Sequence, residues 1–570
     1  MKNYSIDGLF SIFSNITKEV IIKLLFFILL TSLLETLGIA LIVPVFKFIF
    51  SENLSEVKNI VQGIDIDIIR IIIIVIFVVF FVFKNILSYL ILNKQLIYIF
   101  SLQENLSNKL FENYIYRDFS IHIKSDSAIL TRNILNETNT LSNTLIQMLY
   151  FISEFLTLFF ILTLLLIYQP LYTLIIIVFL SICIVVFYNF FSNKTQLLGE
   201  ERQKYDAIKI KNIQIGLNAL KEIKIFSSEE FFVNKFFESN RKSLINAKLQ
   251  SLFQQIPKLY LEVVIIVTFS ILSILFIIQR KSITEVVLIL SFFGAAVFRL
   301  LPSLNRLMVA FQSIQLGYPS FRLLSGELVN FSKSDVLKDF KYLTPELFNF
   351  GIEIKNLNFS YDGNEKMILK NLNFNIKKGS FIAIVGESGQ GKSTFVNILA
   401  GLIKPQNILM KIDGIITEPY NNKEWKKLIG YVPQKINIID GTIADNIAFG
   451  VKSELIDYDR INEVIDMSGL RQFVNDLKLG SAHSIGDYGG LASGGQLQRL
   501  SIARALYHQP EILILDEATS SLDANIESEI LDNLRSMKHK ISIIMITHKK
   551  ENLAFCDSVF LLNNFKLTQL

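Results

Sequence analysis

Apolar positions in the first 310 residues run in long unbroken blocks, while the remainder alternates over short distances. A helix crossing a bilayer needs about 20 largely apolar residues. Six stretches reach or approach that length: 20–46, 68–93, 141–168, 171–192, 259–279 and 283–310. Only Gln169, Pro170 and their neighbours separate the third from the fourth, which predicts a tight helical hairpin. A turn at 279–282 joins the fifth and sixth as closely. The segments 94–140 and 193–258 are polar but helix-compatible, so they are read as extensions of the spans into water. At 50–64, Leu54, Val57, Ile60, Val61 and Ile64 share one helical face, which predicts a short amphipathic helix on the outer surface or packed against the spans. The fold class is therefore an α-helical six-span transmembrane bundle followed by an α/β domain. Residues 1–325 form the membrane part, 326–350 a polar linker and 351–570 the second domain.

Charge orients the bundle. Lys94, Lys109, Arg117, Lys124 and Arg132 lie in one long loop, and Lys194, Arg202, Lys204, Lys209, Lys211, Lys221 and Lys224 in the other. The opposite side holds only Lys47, Lys58, Arg70, Arg280 and Lys281. The excess of basic residues places both loops and both termini in the cytoplasm. No cleaved signal peptide is read at the N-terminus. A net charge of +5 over 570 residues argues against nucleic-acid binding. Cys183 and Cys556 are too few and too far apart in sequence for a disulfide framework or metal cluster.

Ionisable side chains inside spans are costly and face a partner or a cavity. Glu35, Lys84, Glu262 and Arg299 lie at depth, with Lys258 and Arg306 nearer the inner edge. Lys84, Lys258, Arg299 and Arg306 fall on three spans, which points to an electropositive cavity; internal ion pairs are the alternative.

In the second domain FIAIV at 381–385 reads as a buried strand running into GESGQGKST. A strand, a glycine-rich loop and a helix in that order form a phosphate-binding loop. Gly386, Glu387, Ser388, Gly389, Gln390 and Gly391 supply backbone amides that wrap phosphates. Lys392 reaches the β/γ oxygens, Ser393 ligates Mg²⁺, and Thr394 completes the turn. ILILDE at 512–517 is a second buried strand ending in two carboxylates. Asp516 is placed to hold Mg²⁺ and Glu517 to orient an attacking water. Gln434 in GYVPQ can reach the metal and water, His548 in ITHK the γ-phosphate, and Tyr361 in FSYDG can stack on adenine. Taken singly, each of these three reads better as an ordinary residue: a loop Gln, a capping His and a core Tyr. His122, His483, His508 and His539 are read as surface or structural.

GGLASGGQ at 489–496 opens a helix, and a helix N-terminus favours an anion. Together with FSYDG, GESGQGKST, YVPQ, LILDEATSSLD and ITHK, in this order, it resembles the ATPase domain of ABC transporters. The chain is similar over its full length to an ABC exporter half-transporter. The resemblance implies ATP and Mg²⁺ as ligands and a second copy as partner. In that arrangement Ser493, Gly494, Gly495 and Gln496 act in trans on the ATP held by the other subunit's phosphate loop. The family pattern has Leu where this chain has Ala492, an apolar packing position whose truncation costs ~2 kcal/mol if fully buried. Coupling helices are expected near 119–127 and 208–217. ETLGIALIVP, FKNIL, IPKLYLE and FRLLPSLNRL resemble segments of bacterial lipid-linked oligosaccharide flippases of protein glycosylation. That implies an anionic polyprenyl-diphosphate-linked cargo in the inner membrane. A lipid A, peptide or drug exporter, and a non-transporting ATP-gated regulator, remain as alternatives.

Overall fold

The computed structural model describes residues 18–50, 66–280, 283–329, 348–361, 367–420, 422–486, 492–519 and 522–570. The expected amphipathic stretch at 50–64 lies outside these residues except for Phe50. Two compact units result: 1–116 with 125–332, and 117–124 with 333–570. The short helix Phe119–Lys124, expected near 119–127, thus groups with the second unit.

The first unit is built from long helices: Lys18–Phe50, Ile66–Tyr116, Thr138–Tyr168, Pro170–Asn218, Glu229–Ile278 and Ile283–Val329. Among the described residues, four helical runs are long and apolar enough to cross a membrane: 67–116, 127–167, 170–218 and 229–278. Val75, Val79, Val82, Phe83 and Ile86 all point outward along the second helix. An apolar surface of that extent is stable against lipid and a liability in water. Pro170 opens its helix at the first turn, where its missing N–H costs nothing, and Gln169 ends the helix before it. The polar extensions are continuous with the apolar runs, as their helix-compatible composition predicts. The expected coupling helix at 208–217 is instead the last part of Pro170–Asn218. The short helix follows the break at Ala219, as Leu220–Ile225. Sequence 208–217 lacks any residue that stops a helix; Gly216 is accommodated within it.

A buried ionic cluster joins four of these helical segments. A π-helical turn, Asn133–Glu137, places Glu137 fully out of solvent. Arg202 approaches its carboxylate at 3.0 Å, Arg132 at 3.6 Å, and Gln203 donates at 2.9 Å. The Ser320 hydroxyl donates to the same carboxylate at 2.6 Å. Nearby, Gly317 packs so closely that any side chain there would overlap Thr144, and one at Gly199 would strike the Leu316 carbonyl. Close helix contact and charge pairing thus coincide.

In the second unit, β1 (Gly351–Phe359), β2 (Leu369–Lys377), β4 (Asn407–Ile412) and β5 (Ile415–Ile416) form an antiparallel sheet in the order β2-β1-β4-β5. The second sheet runs β10-β9-β3-β8-β7-β6, with β3 at Phe381–Val385, β6 at Ile429–Val432, β7 at Ile512–Asp516, β8 at Ser542–Ile546, β9 at Ser558–Asn563 and β10 at Lys566–Gln569. From β9 to β6 all pairings are parallel. β7 and β8 are buried along their whole length and β3 nearly so, which is why they read as continuous apolar runs. One core packs between this sheet and the antiparallel one, around Phe374, Phe395 and Trp425. Another covers the opposite face, around Ile447, Ile461, Leu506 and Leu531.

Replacing Glu137 by Ala removes the one carboxylate that compensates Arg202 and Arg132 in this cluster. The expected cost is about 3–5 kcal/mol, as for breaking a buried ion pair from one side. Thermal unfolding of the purified chain in detergent measures it; an unchanged midpoint would mean the arginines are solvated after all.

Candidate nucleotide-binding site

Side chains at or just after the carboxyl ends of β3, β8 and β7 form the site, which is where open parallel sheets place ligands. The strand order sets the layout. β8 lies between β3 and β7, so His548 follows the strand between the phosphate loop and the Asp516–Glu517 pair.

After β3, the loop from Gly386 to Gly391 curls into the helix Lys392–Leu399. Gly391 caps that helix at φ 97°, and a Cβ there would sit 2.7 Å from Ile368 Cγ2, so only glycine fits. Lys392 Nζ donates to the carbonyls of Gly386 and Glu387 at 2.7 and 2.9 Å, which holds the ammonium across the mouth of its own loop. Burial lowers its pKa, while the charges of Glu517 and Asp516 act the other way. Ser393 and Thr394 occupy the first turn. The Tyr361 hydroxyl lies 3.4 Å from that of Thr394, and its ring meets Phe359 edge to face. Tyr361 therefore flanks the phosphate loop, half-buried at the edge of the core.

Asp516 ends β7 almost completely buried and accepts a hydrogen bond from the Tyr431 hydroxyl at 3.2 Å. Burial raises its pKa and the neighbouring Glu517 charge adds to that, against the Tyr431 bond and Lys392. Sequence reading missed Tyr431. Its signal was its place in GYVPQ on β6, the strand beside β7.

Glu517 has φ 49°, in the left-handed region that a residue with a Cβ rarely adopts, and its amide is fixed to the Ile546 carbonyl at 3.1 Å. Gln434 Nε2 donates to one carboxylate oxygen at 2.6 Å, and His548 Nε2 lies 3.1 Å from the other. Three residues singled out from separate motifs thus meet on one group. Among the described residues, no cluster of three or more His, Cys, Asp or Glu side chains could hold a metal alone. The oxygen donors Ser393, Gln434 and Asp516 suit an ion such as Mg²⁺, which keeps waters and shares its shell with phosphates.

The residues 489–491 lie outside the described set. Ser493 caps the helix Gly494–Tyr507 in a reciprocal box: its hydroxyl accepts from the Gln496 amide at 3.3 Å, and Gln496 Oε1 accepts from the Ser493 amide at 2.7 Å. Ser493 and Gly494 are exposed. Ala492 is half-buried at the margin of a core, so the site does not carry the full burial penalty of a lost Leu.

The four basic candidates in the first unit are not equivalent. Arg306 is paired with Glu154 of helix Thr138–Tyr168 at 2.9 Å, the internal pairing that the sequence left open. Glu154 was not singled out, because nothing local marks its partner. Lys258 is exposed beside the buried Pro257. Lys84 lies 5.3 Å from the centre of the Phe81 ring. Arg299 is on the last long helix, with a side chain outside the described residues. A groove of about 350 Å³ between helices Pro170–Asn218 and Glu229–Ile278 is lined by apolar residues such as Phe179 and Ile271 and by none of the four.

Comparison with known proteins agrees with this geometry. Residues 369–520 match the family described as ABC transporter. A putative export ATP-binding/permease protein of Rickettsia bellii is 37% identical over 217 residues, 38% of this chain and 37% of that protein. The multidrug resistance-like ATP-binding protein MdlA of Buchnera aphidicola is 30% identical over 362 residues, 63% of this chain and 61% of that one. The match thus spans little more than a third of the first relative and under two thirds of the second. A solved bacterial Atm1-family ABC exporter with ATP bound is similar in fold, with a TM-score of 0.78 at 20% identity, over 97% of this chain and 95% of that one. Residues 369–520 thus match the ABC transporter family, and the chain shares its fold with a solved ABC exporter.

Gly391→Ala should weaken nucleotide binding. The strained φ costs about 1–3 kcal/mol, and each 1.4 kcal/mol borne by the binding-competent loop is about ten-fold in affinity. Titration with a fluorescent ATP analogue reads the change; wild-type affinity would show that the loop relaxes freely.

Proposed function

We propose that the chain is an ATP-driven translocase: a homodimeric ABC exporter in a bacterial inner membrane, with residues 351–570 hydrolysing ATP on the cytoplasmic side. The observation that carries this reading is the meeting of Gln434 and His548 on the Glu517 carboxylate, beside a phosphate loop, in a chain with long apolar helices. In this reading residues 1–325 supply six spans and 326–350 the link. Lys392 and the amides of 386–394 bind the phosphates, and Tyr361 stacks on adenine. Ser393, Asp516 and Gln434 would hold Mg²⁺, which neutralises phosphate charge when bound. Glu517 orients the attacking water and His548 contacts the γ-phosphate. One chain has a single phosphate loop and a single ASGGQ turn, so two composite sites need two chains. Ser493, Gly494, Gly495 and Gln496 of each then close on the ATP of the other.

The carboxylate is essential to that chemistry. Glu517→Gln keeps the shape and the bond from Gln434 while removing the charge. ATP turnover should fall by about two orders of magnitude or more, the range for losing a general base, with nucleotide binding retained. A release assay for inorganic phosphate checks this. Near-normal turnover would remove Glu517 from the mechanism.

For cargo we propose a polyprenyl-diphosphate-linked oligosaccharide, its head group drawn by Lys84, Lys258 and Arg299 and its tail left in lipid. Arg306 contributes through Glu154, so it orders the helices and the diphosphate recognition rests on the other three. Charge reversal at Lys84 and Arg299 together should abolish flipping of such a lipid in proteoliposomes, with basal ATPase activity nearly unchanged, since charge-assisted bonds to the diphosphate are lost. A folded double variant that flips normally overturns the cargo, though not the ATPase. The multidrug resistance-like name of one relative supports a different cargo as the second reading.

A further inference from the structure

Behind His548 lies a charged brace whose Glu527 and Asn552 fall outside the motifs. Glu527, on helix Ala524–Ser536, is almost wholly buried, and both its carboxylate oxygens are engaged. Lys549 Nζ reaches one at 2.6 Å and Asn552 Nδ2 donates to the other at 2.7 Å. The same ammonium donates to the Thr519 carbonyl at 3.2 Å. The Lys549 amide in turn donates to the Thr547 hydroxyl at 3.1 Å. Thr519, Thr547 and Asn552 are buried with Glu527.

The placement is what matters. Thr519 follows Glu517 by two residues, and Lys549 directly follows His548. One ammonium therefore ties the chain just past Glu517 to the chain just past His548, while the Glu517 amide is itself held on the Ile546 carbonyl. The 3.1 Å contact between His548 and Glu517 is spanned by backbone fixed on both sides. With Glu527 buried and the Lys549 side chain still 35% exposed, this ion pair is a poor route to stability. What it supplies is geometry, and reaction rates respond to small errors of position.

We propose that Lys549 and Glu527, locked by Asn552, are positioning residues that set His548 against Glu517 for ATP hydrolysis. The inference rests on the ATPase reading above. Neither residue touches the nucleotide in it, so both act through His548 and Glu517.

The test uses the full-length chain in nanodiscs, with steady-state ATPase kinetics and a thermal melt. In a folded Lys549→Met variant, kcat should fall about ten-fold with the KM for ATP within about two-fold of wild type, the pattern of a lost transition-state contact. Lys549→Arg, which keeps the charge and the reach, should restore at least about half of kcat. In a His548→Ala background the same Lys549→Met change should cost less than about two-fold, because residues acting as a unit are not additive. If Lys549→Met melts early, the paired Lys549→Gln, Glu527→Gln variant removes both charges while keeping hydrogen bonds, and the same outcomes apply. Unchanged kcat in a folded variant, or an undiminished loss in the His548→Ala background, overturns the brace. An ATPase rate that is indifferent to Glu517→Gln overturns the parent reading instead.

Discussion

Two side chains from separate segments of the candidate ATP site meet on the carboxylate of Glu517. It is held in a left-handed backbone conformation, accepts from Gln434 and faces His548. Gln434 lies 83 residues before Glu517 in sequence and His548 follows the next strand of the sheet, so the sheet is what assembles them. β7 and β8 are paired in register through Asp516 and Ile546, which brings the two strand ends level. Burial of both strands on both faces fixes that register, because a slip would expose apolar side chains or bury polar ones. The hydrophobic core thus determines the geometry of a polar site.

The first unit combines the two kinds of contact. Its long helices turn apolar surface outward, and inside it buried apolar clusters around Leu106, Leu304 and Phe276 lie alongside polar contacts. Glu137 is held by Arg202, Arg132, Gln203 and Ser320, and Arg306 by Glu154. The Glu137 cluster lies on the polar extensions read above as projecting into water, and there close approach at Gly199 and Gly317 and charge pairing act together on the packing. Glu137 and Glu154 both lie on one continuous run of helix, from the π-helical turn into Thr138–Tyr168. That run carries two of the fixed points.

What was legible in the sequence follows from the range of each interaction. The phosphate loop, the two terminal carboxylates of β7 and the helix after Ser493 are local patterns, and the chain folds there as its spacing predicts. The tight turn at Gln169 and Pro170 is local too. Tyr431 beside Asp516, Lys549 on Glu527 and Arg202 on Glu137 were not legible. Their partners lie 85, 22 and 65 residues away, and nothing in either partner's neighbourhood names the other. A separate short helix at 208–217 was expected, but no residue there stops a helix; the break comes at Ala219, where the backbone leaves the helical region at φ −100° and ψ 22°.

The turn that carries Ser493 shows how a local motif can point beyond its own chain. An α-helix leaves its first amides without intrahelical partners. The capping box accounts for the amide of Gln496 and for that of Ser493 itself, and Gly494 and Gly495 place no side chain over theirs. The box therefore fixes the helix end in one conformation with its dipole directed outward, at a position where Ser493 and Gly494 are exposed. Pre-ordering of this kind lowers the entropy lost when an anion arrives. In the homodimer proposed above, this is the surface that closes on a phosphate held by the other chain, and its capping box forms within one chain.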